Sequence, residues 1–143
     1  MSKQENVKIA QMFIDNFNAH EPERNDAFVT DDYQAEGPGA AGPMTREQIN
    51  MQNRGFLTAF PDLHFEVKLT LSQGDYVVVH WVGTGTHTGP LPTPSGGAIP
   101  PTGKKVTVPG SSTYQVREGK VARAWSFWDM SSLLGQLGLL PPM

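Results

Sequence analysis

The sequence contains no cysteine. Disulfides and thiolate metal sites are therefore excluded. It has no run of Lys and Arg, and 11 basic residues against 14 acidic ones leave a formal charge of −3. Nucleic acid and anionic membrane are poor partners for such a chain. No apolar run approaches the length of a bilayer span, and the start, MSKQENVK, lacks the apolar core of a signal peptide. The expectation is a soluble, cytoplasmic domain. No group of His, Asp and Glu has metal-ligand spacing, and the motifs GxSxG, GxxxxGK and GxGxxG are absent. No metal or cofactor is expected. With 143 residues the chain suits a single domain spanning 1–143.

What is present divides into helices first and strands second. Val7, Ala10, Phe13, Ile14 and Phe17 recur at helical spacing from about Gln4 to His20. Glu21-Pro22-Glu23 breaks that helix, and a short second one runs to Val29. Asp31 to Gln34 leads into a Gly/Pro-rich loop from Gly37 to Pro43. Thr45 with Gln48 is a capping-box pattern for a third helix, weakened at Gly55 and ended by Pro61. The period then becomes two. Phe65, Val67, Leu69 and Leu71 alternate with polar residues, so that strand has one wet face. Tyr76 to Val82 is apolar on both faces and reads as central. Residues 89–103, GPLPTPSGGAIPPTG, are dominated by Pro and Gly and predict no regular structure. Lys104 to Val116 and Lys120 to Trp128 are two further strands, and Leu133, Leu134 and Leu137 mark one face of a last helix. The pattern argues an α+β domain with helices on one face of a curved antiparallel sheet.

The last strand has an unusual face. Ala122, Ala124, Ser126 and Trp128 lie on one side, and Val121, Arg123, Trp125 and Phe127 on the other. A three-residue loop with Gly119 in the left-handed position pairs Val116 with Lys120. Tyr114 then faces Ala122, Ser112 faces Ala124, and Gly110 faces Ser126. Small residues rimmed by Tyr114 and Trp128 make a floor with volume above it, on the helix side of the sheet. Phe17 and Tyr33 are expected to converge over that floor and contact a ligand there. A buried phenol wants a hydrogen-bond partner, which a ligand carbonyl can supply. For the phenylalanines the alternative is plain core packing.

KVARAWSFWD followed by LLGQLGLLP, with FPDLHFEV at 60–67, GTHTGPL at 85–91 and PPTGKKVTVPG at 100–110, resembles the SnoaL-like polyketide (ester) cyclases. The resemblance implies the cone-shaped fold named after nuclear transport factor two. It also implies a homodimer through the outer sheet face, here the one with Trp125 and Phe127, and an intramolecular aldol closure as the reaction. Carried over by position, the family's proton-removing aspartate falls at Ser126, its two histidines at Ala124 and Ser112, and a pocket asparagine at Ala35. Serine without a partner base is not a general base at neutral pH. Asp129 matches an acid of the family pattern. It is a candidate acid–base group, or else a helix N-cap accepting from Ser131 or Ser132.

Of the four histidines, His20 ends a helix, His64 alternates with polar neighbours, and His87 suits a loop hydrogen-bonder. His80 lies in the central strand, and the two-sided apolar pattern leaves its face open. Facing the hollow, it is a candidate base; otherwise it is a core or interface histidine. The segment 89–103 carries the extra residues TPSGGA and is either a slack insertion or a lid. Two functions follow. One is a cofactor-independent cyclase or isomerase acting on an apolar or polycyclic carbonyl compound; the other is a binding module that holds such a ligand without turnover. A purely structural dimer, with the hollow filled by side chains, is the third.

Overall fold

The computed structural model describes residues 3–38, 42–93 and 96–139. Chain order is α1 (Lys3–Asn18), a 3-10 helix (Pro22–Phe28), β1 (Val29–Glu36), α2 (Arg46–Ala59), β2 (His64–Gln73), β3 (Tyr76–Thr86), β4 (Leu91–Pro92), β5 (Ala98–Ile99), β6 (Lys105–Arg117), β7 (Lys120–Trp128) and α3 (Met130–Gln136). The α+β class is as expected: an N-terminal helix, a curved sheet and a short C-terminal helix. The sheet has strand order β1-β7-β6-β3-β2. It is mixed rather than wholly antiparallel, because β1 runs parallel to β7. β1 was not expected as a strand. Its residues TDDYQ lack an apolar alternation, and it has one neighbour only, so pairing with β7 rather than pattern makes it a strand.

Two bulges revise the expected faces. In β2, Val67 pairs with Trp81 but Leu69 pairs with His80, so Lys68 is the extra residue. The parity flips there. Phe65 and Val67 pack against the core, whereas Leu69 and Leu71 are exposed on the other face. Between β6 and β7 the loop has two residues, not three. Arg117 pairs with Lys120, and Glu118 and Gly119 both take positive φ, 51° and 79°, as a primed hairpin turn needs. A bulge at Ala122 follows, so Val116 pairs with Val121 and Gln115 with Arg123. Pairing further in is shifted by two from expectation: Tyr114 faces Ala124, Ser112 faces Ser126, and Gly110 faces Trp128. A shift of two keeps each side chain on its face. Val121 is corrected to the core, fully buried beside Val77, Val79 and α1.

The helical layer rests on α1 and α2. Ala10, Phe13 and Ile14 of α1 pack on Val77, Val79, Trp81, Tyr114, Val121 and Ala124. Thr45 and Gln48 form the expected capping box at the start of α2. Gly55 is explained by packing rather than by bending: a Cβ there would come within 3.3 Å of the Pro92 ring. The 89–103 segment thus braces α2, carrying the short β4–β5 ribbon that its composition did not predict. His87 fixes the far end of this segment. It is fully buried, its Nδ1 accepts the Thr102 amide at 3.2 Å, and its ring lies 5.3 Å from that of Phe60. At the other end, β7 stops at Trp128 and α3 takes over. The Gln136 amide bonds both backbone groups of Thr107, at 2.8 and 2.9 Å, in place of a strand neighbour. Leu133 and Leu137 are buried in a second cluster with Phe60, Leu91, Val106 and Val108. Burying each leucine contributes roughly 1.5–3 kcal/mol.

Candidate active site

Between the helical layer and the sheet lies a cavity of about 180 Å³. A void of about 150 Å³ already takes up benzene, so the space suits a molecule of one or two rings. Phe17, Tyr33, Ser112, Tyr114, Ala124, Ser126 and Trp128 all line it. Gly110 and Ala122 do not. Ala122 is the bulge residue, and the space over Gly110 is filled by the Trp81 indole, which would stand 2.4 Å from a Cβ there. The floor is thus narrower than the strand pattern suggests. Trp81 also packs edge-on against Phe65, with ring centroids 4.6 Å apart, and lies 6.2 Å from Trp128.

The floor is neutral and internally bonded. The Trp81 indole N–H donates to Ser112 Oγ at 3.0 Å, and the Ser112 and Ser126 hydroxyls share a bond of 2.8 Å. Ala35, where the resemblance implies an asparagine, is buried and presents only a methyl. Above the floor stand two phenols. Burial pushes the Tyr114 phenol up to about 12, with the Ser112 hydroxyl pulling slightly the other way. The Tyr33 phenol is raised further, by burial first, then by Tyr114 and by the charge of Asp26. Both phenols stay neutral donors at physiological pH.

Neither catalytic candidate from the sequence reaches this space. His80 pairs with Ser111 and is exposed, because it alternates with the inward-facing Val79 and Trp81. It lies on the outer face beside Lys68 and Phe127. Asp129 is exposed at the start of α3 and caps it, accepting the Ser132 amide at 3.0 Å. The described residues of the 89–103 segment line no part of the cavity. The His20 ring N–H donates to the Leu63 carbonyl, 3.0 Å away, and His64 is exposed.

Sequence reasoning missed the wall opposite the floor. Asp26 of the 3-10 helix and Asn50 of α2 line the cavity, and the Asn50 amide donates to both Asp26 carboxylate oxygens, at 3.0 and 3.1 Å. Asn25 is fixed in turn by Asn16 of α1, at 2.7 Å. Arg54 of α2 forks onto Glu23, with the second arm at 2.6 Å, and ties the two elements together. The short helix here was expected, but a 3-10 helix has no apolar period, so NDAF gives no signal of which side chains face inward. Trp81 had one available: a large ring is the natural complement of Gly110 across the strand pair. Among the described residues no three His, Asp or Glu side chains stand where they would hold a metal ion. No helix there is long and apolar enough to cross a membrane.

The geometry has counterparts among solved structures. AclR from Streptomyces galilaeus, a candidate hydroxylase, superposes with a TM-score of 0.84 at 25% identity, covering 98% of this chain and 100% of its own. A candidate SnoaL-like polyketide cyclase from Jannaschia sp. CCS1 gives 0.82 at 23% identity, covering 98% and 95%. IdmH from Streptomyces antibioticus, a candidate polyketide cyclase, gives 0.78 at 25%, covering 93% and 98%. No curated protein matches the sequence. The SnoaL-like polyketide cyclase pattern extends over residues 7–137, from α1 to the end of α3. Coverage of that extent, with the helical layer and the mixed sheet both in place, makes the chain a member of the SnoaL-like polyketide cyclase family.

Proposed function

We propose that this protein binds an apolar or polycyclic carbonyl compound in the cavity and catalyses its cyclisation, isomerisation or a related proton transfer without a cofactor. The observation that carries the reading is the pair of buried phenols, Tyr33 and Tyr114, set in a mainly aromatic and aliphatic space, with the Ser112 hydroxyl beside that of Tyr114. Buried hydroxyls need partners, and a ketone or enolate oxygen is a suitable acceptor. Two neutral donors aimed at one oxygen favour it most when it becomes negative. Relatives described as a candidate hydroxylase and a candidate polyketide cyclase, both at 25% identity, support catalysis on such compounds. Ser126 stands where the resemblance puts the family's aspartate, so the proton passes through another group.

The neutral, self-bonded floor favours a second reading, a binding module of the same shape without turnover. Deuterium uptake at C1 of 2-tetralone in heavy water, followed by proton NMR, separates the two. The enzyme reading expects uptake above the buffer rate, lowered when Tyr33 or Tyr114 becomes Phe. Binding of 2-naphthol without any such acceleration would replace it with the carrier.

The outer sheet face leaves Leu69, Leu71, Tyr76 and Phe127 exposed at 46, 56, 45 and 56%. We propose that a second copy covers this face, as the family resemblance implies. Light scattering that gives a clean monomer at micromolar concentration would remove this proposal.

A further inference from the structure

We infer that Asp26, held by Asn50, is the proton acceptor of this site, and that Tyr33 and Tyr114 hold the substrate oxygen that turns negative. The inference rests on the catalytic reading above. Among the described residues only two carboxylate residues line the cavity, Asp26 and Glu36. Glu36 is engaged elsewhere: its Oε2 accepts the Trp125 indole N–H at 2.7 Å, and Trp125 belongs to the outer side of β7. No histidine or lysine lines the space, and its one cation, Arg46, bonds Glu47 at 3.1 Å. The floor hydroxyls of Ser112 and Ser126 are bonded to each other and have no base behind them. Asp26 is what remains.

Its setting suits the role. The Asn50 amide bonds both carboxylate oxygens, at 3.0 and 3.1 Å, and fixes their orientation. Each carboxylate oxygen has two lone pairs, so acceptor capacity remains. Asp26 and Tyr33 both line the cavity, so carboxylate and phenol face one space. This is the arrangement an enolisation requires.

In the first step a C–H bond alpha to the carbonyl breaks. The proton goes to Asp26 and the bonding pair becomes the enolate, whose oxygen accepts from the two phenols. In an isomerisation the proton returns to a different carbon. In a cyclisation the enolate carbon forms a bond to a second carbonyl carbon of the same molecule, and the new alkoxide takes the proton from Asp26. Neither route changes the oxidation level or needs a co-reactant. The chemistry of the family's floor position is thus moved across the cavity to the helical wall.

The test uses the full chain, C1 deuterium uptake by 2-tetralone, and fluorescence titration with 2-naphthol as a planar mimic of the enolate. Asp26→Asn keeps the bond to Asn50 and removes the base. It is expected to lower uptake by about 10²–10⁴-fold, the usual worth of a general base, with 2-naphthol affinity within about threefold of the parent, under 1 kcal/mol. Asp26→Glu keeps a carboxylate one methylene away. It is expected to fold, to exceed the Asn variant by about tenfold or more and to remain below the parent. Parent-level uptake in either folded variant overturns the inference and leaves the catalytic reading standing. A parent that binds 2-naphthol but never exceeds the buffer rate overturns both.

Discussion

The two walls of the cavity are built differently, and the difference separates shape from chemistry. The floor belongs to β6 and β7, where cross-strand pairing fixes which side chains meet: Ser112 with Ser126, Tyr114 with Ala124. A residue there can change without moving its neighbours, because the backbone ladder holds the positions. That is how a floor can carry two serines where its relatives are expected to carry an acid and a histidine. The helical wall has no ladder. The 3-10 helix and α2 meet through side chains, Asn50 on Asp26 and Arg54 on Glu23. Both contacts fix position, and Asn50 also orients the carboxylate proposed above as the proton acceptor. The floor can therefore keep a shape while its side chains change, and under the proposal above the wall is where the reaction is specified.

Trp81 tests the floor's share of the fold and is expected to give the largest effect. It is 6% exposed, fills the space over Gly110, packs against Phe65 and Trp128, and bonds Ser112. Trp81→Ala is expected to destabilise the protein by about 3–5 kcal/mol, read from urea unfolding midpoints. A loss below about 1 kcal/mol, the ordinary cost of a surface change, would mean that the floor collapses without harm and is not the rigid partner.

The phenols join the two walls, and alkali tests them. Tyr114 is neutral and buried in the folded state with its phenol pushed up to about 12, against about 10 when unfolded. The unfolded chain therefore loses this proton first as pH rises. The contribution is whole below pH 10 and is lost as pH climbs toward 12, about 3 kcal/mol from Tyr114 alone. Tyr33, raised for the same leading reason, acts in the same direction. Thermal midpoints measured from pH 9 to 11.5 are expected to fall, and to fall less in Tyr114→Phe. Equal slopes in parent and variant would show that the phenol is not held in a dry place.

How much of this was legible follows the same division. The floor residues Ser112, Tyr114, Ala124, Ser126 and Trp128 were readable because strand parity survives a register error of two, even though the turn length and the bulge at Ala122 were not foreseen. Where an error is odd, parity fails. The single extra residue at Lys68 sent Leu69 and Leu71 to the outer face against the reading of an unbroken strand. His80 was undecidable because apolar residues occupy both faces of β3, and only Trp81 settles it by needing Gly110 opposite. The family resemblance located the fold and the floor. It carried no information about Asp26 and Asn50, which meet across 24 residues through a helix too short and irregular to show a period.

Ser126→Asp would restore a carboxylate to the floor and make the two walls alike. The new group enters an apolar space beside Ser112 and Trp128, where desolvation raises a carboxyl's pKa. Its folded form then prefers to be protonated, so its cost is absent below the unfolded value near 4 and appears as pH rises through the folded value. At pH 7 the variant is expected to lose about 2 kcal/mol, the range for a poorly compensated polar group, and to regain most of it on acidification to pH 4. The parent midpoint should move less over that interval. A variant as stable as the parent at pH 7 would mean that the floor is wet, and that the contrast between the walls is one of sequence only.

The smallest expected effect lies at the start of α2, and it asks whether the wall is as dependent on local side-chain bonds as its construction implies. Thr45 Oγ1 accepts the Gln48 amide at 3.3 Å, and the Thr45 amide donates back to Gln48 Oε1 at 2.9 Å. The turn so capped carries Arg46, Ile49 and Asn50 into the cavity lining. Thr45→Ala removes one half of the box and is expected to cost about 1 kcal/mol, whereas Thr45→Ser should cost only a few tenths. Because a first turn frays when its amides are left open, Asn50 should lose some of its hold on Asp26. Uptake of deuterium by 2-tetralone is then expected to fall more than 2-naphthol affinity does, since binding depends on the aromatic floor. Equal losses of both would place the control of the reaction in the cavity as a whole and not in its helical wall.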